Sequence, residues 1–270
     1  MFSVSGTDLN AATALLHLWW GLFEAPAGVD LTPRLDNVFS PAVVVEWRGE
    51  RYAGRDTVID LITGMPRELT IAHHLVDLEV KPAGQDTLSM RAALIYQQQD
   101  TQGEVVSTRV EHEFVLQPAR SGLVFTHISI PEGEPVSRAF VPSAQVNRAK
   151  VTVIEFQTHV DRLDGAATGL EALITKDATF HGLMATDQPL SGINGLSSWL
   201  AAGPSVFKWV HHNQLLVFDL KPLSENRFEA TATFEWLAET VNGERIERRN
   251  PVRWTLIETH DKYMRIERIN

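Results

Sequence analysis

The chain has 270 residues, enough for one large domain or two of ordinary size, and 44% of them are hydrophobic. A formal net charge of −10 argues against nucleic acid as a partner, since phosphate binding rests on clustered Lys and Arg, and it disfavours anionic membranes. With no Cys, disulfides, thiolate nucleophiles and Cys-ligated zinc are excluded.

Met1-Phe2-Ser3-Val4-Ser5-Gly6 carries no basic segment followed by an apolar one, and no apolar run reaches the ~18 residues of a membrane helix. A cytoplasmic location is therefore expected. Residues 8–23 read as an amphipathic helix: Thr7 is the expected N-cap, and Leu9, Ala12, Leu16, Trp19 and Phe23 recur at helical spacing. A short helical piece is expected at Leu31–Val38, a strand at 41–47, and a short helix at Asp56–Ile62 closed by Gly64 and Pro66. Strands follow near 69–81, 86–99, 104–117 and 122–130, separated by turns rich in Gly, Pro and Asp. Residues 132–143, with Gly133, Pro135 and Pro142, read as a linker. Helices are then expected at 144–163, 166–175 and 193–202, with an irregular stretch at 177–191. Gly203-Pro204 and four more strands complete the chain.

The second half echoes the first. At an offset of 138, Gly54 matches Gly192, Pro66 matches Pro204, and His73-His74 match His211-His212. At an offset of 140, Lys81-Pro82 match Lys221-Pro222, Gly103-Glu104 match Gly243-Glu244, Arg109 matches Arg249, and Phe114 is equivalent to Trp254. The two offsets differ by an even number, which preserves the facing of strand residues. An internal repeat follows, with domains at 1–131 and 144–270.

Each half reads as helices followed by antiparallel strands, an α+β unit. In this order of elements, with a helix opened by Gly and a strand starting near His-His, both halves resemble nuclear transport factor 2-like domains of the SnoaL-like branch. That resemblance implies two tandem cone-shaped domains, each with N-terminal helices packed on a curved antiparallel or mixed sheet. It also implies an intrachain pseudo-dimer, leaves a further homodimer open, and makes a small hydrophobic molecule the expected partner.

Strand alternation places Ala72, His74, Val76, Leu78 and Val80 on one face. It places Met90, Leu94 and Tyr96 on a second face, and His112 and Phe114 on a third. His74, Tyr96 and His112 are accordingly the candidate catalytic residues, with His74 as general acid or base and Tyr96 or His112 polarising a carbonyl or hydroxyl. His73 and His211 are expected on the opposite face, near the contact between domains. Trp19, Trp20, Trp47, Met90 and Phe114 in the first half, and His212, Trp236 and Trp254 in the second, are the candidate ligand-binding residues. Glu46, Glu111, Glu113 and Glu235 fall on outward positions, so the buried Asp base of ketosteroid isomerase-like and SnoaL-like sites is not found. No metal site is expected, because adjacent His residues on a strand point apart and His-x-x-x-His is absent. No cofactor is expected either. The functional expectation is a small-molecule-binding protein, with cofactor-independent lyase or isomerase chemistry on a cyclic substrate. The alternative is a non-catalytic binding or interaction module, favoured by the recurrence of the His doublet in a half that lacks Tyr and His partners.

Overall fold

The computed structural model describes residues 4–25, 29, 35, 38–65, 68–119, 122–183, 188–249 and 251–270. The helical piece expected at Leu31–Val38 falls largely outside them. Two compact units emerge. One holds Leu15–Asn147, the other Ser5–Ala14 together with Arg148–Asn270. Both are α+β.

Helix α1 (Gly6–Glu24) begins with a capping box. Asp8 N–H donates to Ser5 Oγ at 3.1 Å, while Asp8 Oδ2 accepts from Ser5 N–H at 3.2 Å. Ser5, not Thr7, is thus the cap, because only the residue three positions before Asp8 can exchange both bonds. In the first unit follow β1 (Phe39–Trp47), β2 (Glu50–Ala53), α2 (Arg55–Thr63), β3 (Thr70–Pro82), β4 (Leu88–Gln99), β5 (Val105–Ala119), β6 (Gly122–Ile130) and β7 (Glu134–Val136). The sheet order is β2-β1-β6-β5-β4-β3, with β1 parallel to β6 and β7 paired to β5. Trp19, Trp20, Phe39, Phe114 and Phe125 are fully buried between helix and sheet.

The second unit contains α3 (Ala144–Asp161), a 3₁₀ turn (Leu170–Ala172), β8 (Ile174–Phe180), β9 (Leu190–Ser191), α4 (Gly192–Val206), β10 (Phe207–Ser224), β11 (Arg227–Thr240), β12 (Arg245–Arg248), β13 (Pro251–Glu258) and β14 (Met264–Ile269). Its order, β9-β8-β14-β13-β11-β10, repeats that of the first sheet, again with one parallel pair, β8 and β14. Met90 lies opposite Phe114, and Ala230 opposite Trp254, so the offset of 140 holds through these strands. Gly54 and Gly192 precede or open α2 and α4 at φ 90° and 60°, a conformation that favours glycine.

Two expectations are corrected here. The helix expected at 166–175 is a single 3₁₀ turn, and the strand β8 runs into the stretch read as irregular. Alternating burial of Ile174, Ala178 and Phe180, with hydrogen bonds available from β14, overrides the helical look of Leu170-Glu171-Ala172. Helix α4 continues past Gly203-Pro204 to Val206; Pro204 costs one bond in a last turn. Among the described residues, the strand equivalent to β5 comprises β12 and β13, which meet β11 in one register: Arg248 lies opposite Trp236 and Pro251 opposite Thr233.

Candidate functional site

The end of each long helix carries a buried carboxylate, and each carboxylate holds a histidine in the first half of the strand, β3 or β10, that follows the short helix. In the second unit Asp161 is the last residue of α3. Its Oδ2 accepts the backbone N–H of His212 at 2.8 Å, and its Oδ1 lies 2.5 Å from His212 Nδ1. The carbonyl of His212 accepts a hydrogen bond from Asn10 Nδ2. Backbone and ring are thereby held from three sides. A carboxylate facing Nδ1 favours a proton on that nitrogen, and in the neutral ring this leaves Nε2 as the acceptor, the arrangement a general base needs. The Asp161 side chain is fully buried and the imidazole 12% exposed.

His212 lines a cavity of about 370 Å³, within the range of small-molecule sites. The walls are mostly apolar, from Val160, Leu200, Phe234, Trp236, Val252 and Trp254, with Gln157, His181 and Arg248 as polar lining. The ring of His212 meets Phe234 edge-on at 5.7 Å and lies 6.5 Å from Trp236.

The first unit builds the same clamp differently. Glu24 ends α1 and accepts from His73 N–H at 2.9 Å, with its Oε1 3.0 Å from His73 Nδ1. Ser143 Oγ and Asn147 Nδ2 also donate to Glu24, at 2.7 and 2.9 Å, and Asn147 Nδ2 reaches the His73 carbonyl at 3.2 Å. Here the imidazole is covered. Trp20 stacks on it at 5.5 Å and 3°, and Tyr96 sits at 5.4 Å. The corresponding helix position in the second unit, one residue after buried Phe156 as Trp20 is one after Trp19, holds Gln157.

The expected face of β3 is corrected by a bulge. His73 lies opposite Tyr96 and Leu75 opposite Leu94, but Leu78 lies opposite Ala92 and Val80 opposite Met90. The register slips between Leu75 and Asp77, so Val76 is extra. A one-residue slip reverses facing. Upstream of the bulge the inward residues are therefore odd-numbered. His73 faces the first unit's core and His74 does not. His74 Nε2 instead meets Gln97 Oε1 at 3.2 Å and the Val141 carbonyl at 3.0 Å. In the second unit, His212 lies opposite Trp236, the counterpart of Tyr96. The histidines equivalent in geometry are thus His73 and His212, one position out of step with the doublet match.

Of the remaining candidates, Tyr96 donates to Gln98 Oε1 at 3.1 Å, and burial raises its pKa while the charge of Arg48 opposes this. His112 is buried, and among the described residues its Nδ1 has no hydrogen-bond partner. Burial, then the nearby His73, pushes its pKa down to about 3. The structure thus brings Tyr96 and His112 towards His73 rather than His74. Met90 and Phe114 are core residues beside them, and Trp19 and Trp20 are fully buried. Trp47 meets Phe23 edge-on at 6.5 Å. His212, Trp236 and Trp254 share the cavity of the second unit. Glu24 and Asp161 escaped the sequence reading. A signal existed: Asn10 and Asn147, like Glu24 and Asp161, stand 137 residues apart.

Residues 9–122 match the SnoaL-like domain family. The chain carries a SnoaL-like domain. Solved structures similar to it include a cystatin-like protein from Caulobacter vibrioides, with 15% identity, TM-score 0.38, and 48% of this chain and 90% of that one aligned. A hexachlorocyclohexane dehydrochlorinase from Novosphingobium barchaimii aligns at 16% identity and TM-score 0.39, over 50% of this chain and 97% of its own. A ketosteroid isomerase-like protein from Erwinia carotovora aligns at 15% and 0.38, over 51% and 100%. No curated protein matches the sequence. Among the described residues, no helix is long and apolar enough to cross a membrane.

Proposed function

We propose that this protein binds a small hydrophobic molecule and acts on it by acid–base chemistry, as a cofactor-independent lyase or isomerase, with the second unit as the working site. The observation that carries the reading is His212: clamped by Asp161 through Nδ1 and the backbone, it lines an apolar cavity of about 370 Å³. His212 Nε2 takes a proton from a carbon or hydroxyl of the substrate. Ionised Asp161 stabilises the resulting imidazolium. The proton then returns at a second atom, giving isomerisation, or a leaving group departs as a double bond forms, giving elimination. Apolar walls exclude water and strengthen these charges. In the first unit, the indole of Trp20 lies flat on His73, and that histidine serves mainly to join helix to sheet.

The test is native mass spectrometry of protein from its own host, followed by incubation of any co-purifying ring compound in D₂O. Deuterium should enter the compound or a new product should form. His212→Ala should abolish this, and His74→Ala should leave it intact. A clean mass, with no stabilising compound in a thermal-shift screen, would overturn the reading in favour of an interaction module.

A further inference from the structure

Three adjacent strands of the second unit present a row of side chains to the cavity. His212 on β10 lies opposite Trp236 on β11, which lies opposite Arg248 on β12. Directly opposed residues point to the same side of a sheet, and neighbouring strands are ~4.8 Å apart. The Trp236 ring sits between the other two, 6.5 Å from the imidazole and 6.0 Å from the guanidinium carbon. Imidazole and guanidinium thus flank one indole, on strands two spacings, ~10 Å, apart.

Arg248 differs from its neighbours in its partners. Arg249 pairs with Glu235 and Glu247, and Arg245 with Glu239. Among the described residues, Arg248 has no carboxylate partner, and it is the one Asp, Glu, Lys or Arg side chain lining the cavity. In a chain of net charge −10, Arg248 thus brings a positive charge to a mostly apolar cavity lining. The corresponding position of the first unit, opposite Tyr96, is the uncharged Thr108. Arginine presents a planar fork matched to a carboxylate, and its stacking on Trp236 holds that fork in place.

We propose, building on the reading of this cavity as a small-molecule site, that its ligand is a hydrophobic ring compound bearing an anionic group. A carboxylate is the simplest case. The rings lie along Trp236, the anion meets Arg248, and the opposite edge of the ring system comes to His212.

The experiment compares 2-naphthoate with the nearly isosteric, uncharged 2-naphthamide, titrated calorimetrically into the full-length protein and into Arg248→Gln at low salt. Naphthoate should bind wild type about tenfold more tightly than the amide. Arg248→Gln should erase that preference while leaving the Kd of the amide unchanged. Equal binding of both probes by wild type, or a preference that survives in Arg248→Gln, would overturn the anionic-ligand proposal and leave the small-molecule reading standing. Failure of both probes to bind at millimolar concentration would sink both.

Discussion

Asp161 receives the backbone N–H and the ring Nδ1 of the same residue, His212, one on each carboxylate oxygen, at 2.8 and 2.5 Å. A single side chain therefore sets both the position of the strand and the tautomer of the base. Asp161→Asn keeps the shape but puts an NH₂ group against one of the two donors. The variant should lose about 2–4 kcal/mol of stability in urea unfolding. Its His212 ring nitrogens should lose the single-tautomer pattern in ¹⁵N NMR. Any catalytic activity should drop by at least 10²-fold. A wild-type-like ¹⁵N spectrum would show that the carboxylate does not govern the ring.

Glu24 has a heavier structural load. Its carboxylate accepts from His73, Ser143 and Asn147. Glu24→Gln should destabilise the protein by about 3 kcal/mol, read as a lower denaturation midpoint at unchanged slope, while ligand binding to the second unit persists. Loss of that binding in a folded variant would contradict the assignment of the working site.

His112 is a pH lever. Its pKa is lowered from 6.5 to about 3, by burial first and by His73 second. Below about pH 6.5 the unfolded chain takes up this proton and the folded chain does not. Stability from this group is thus fully present above pH 6.5 and is lost progressively as pH falls towards 3. His112→Leu should flatten the pH dependence of the melting temperature between pH 4 and 7. It should be neutral or stabilising at pH 8, since it also removes an unsatisfied buried nitrogen. An unchanged pH profile would show that another group controls acid stability.

Gly133 tests the segment read from sequence as a linker. A Cβ there would lie 2.4 Å from Thr108 Cγ2 and 2.6 Å from the Arg109 carbonyl. The backbone oxygen cannot swing aside as a flexible side chain would. Gly133→Ala should cost about 1–3 kcal/mol and should be felt in the β5–β7 pairing, seen as faster amide exchange at Ser107 and Arg109. Unchanged exchange would mean that β7 is not held to β5.

Much of the fold was legible because strand alternation and turn residues are local signals. The two matched sheets, the Gly-opened short helices, and the equivalence of Phe114 and Trp254 all follow from patterns read along the chain. The site was less legible. The inward histidine of β3 depends on Val76 bulging out, and no residue around Val76 announces it: Leu75-Val76-Asp77 would continue a regular strand equally well. Glu24 and Asp161 were hidden for a different reason. A carboxylate at the end of an amphipathic helix reads as a solvated terminus until the chain returns about 50 residues later with the donors that fill it. The choice of the second unit as the working site rests on the cavity beside His212, where Gln157 stands in place of the first unit's Trp20, a difference that matters only once stacking geometry is known.

The Asn10 contact sets an order of events during synthesis. Asn10 and the His212 carbonyl it holds are 202 residues apart in the chain. At ~5–20 residues per second, Asn10 waits roughly 10–40 s before its acceptor is even made. Asn147, by contrast, is made after His73, 74 residues earlier in the chain, and finds it already synthesised. Residues 5–14 belong to the second unit yet are made long before the rest of it, so a fragment started at residue 148 would lack a piece of its own fold.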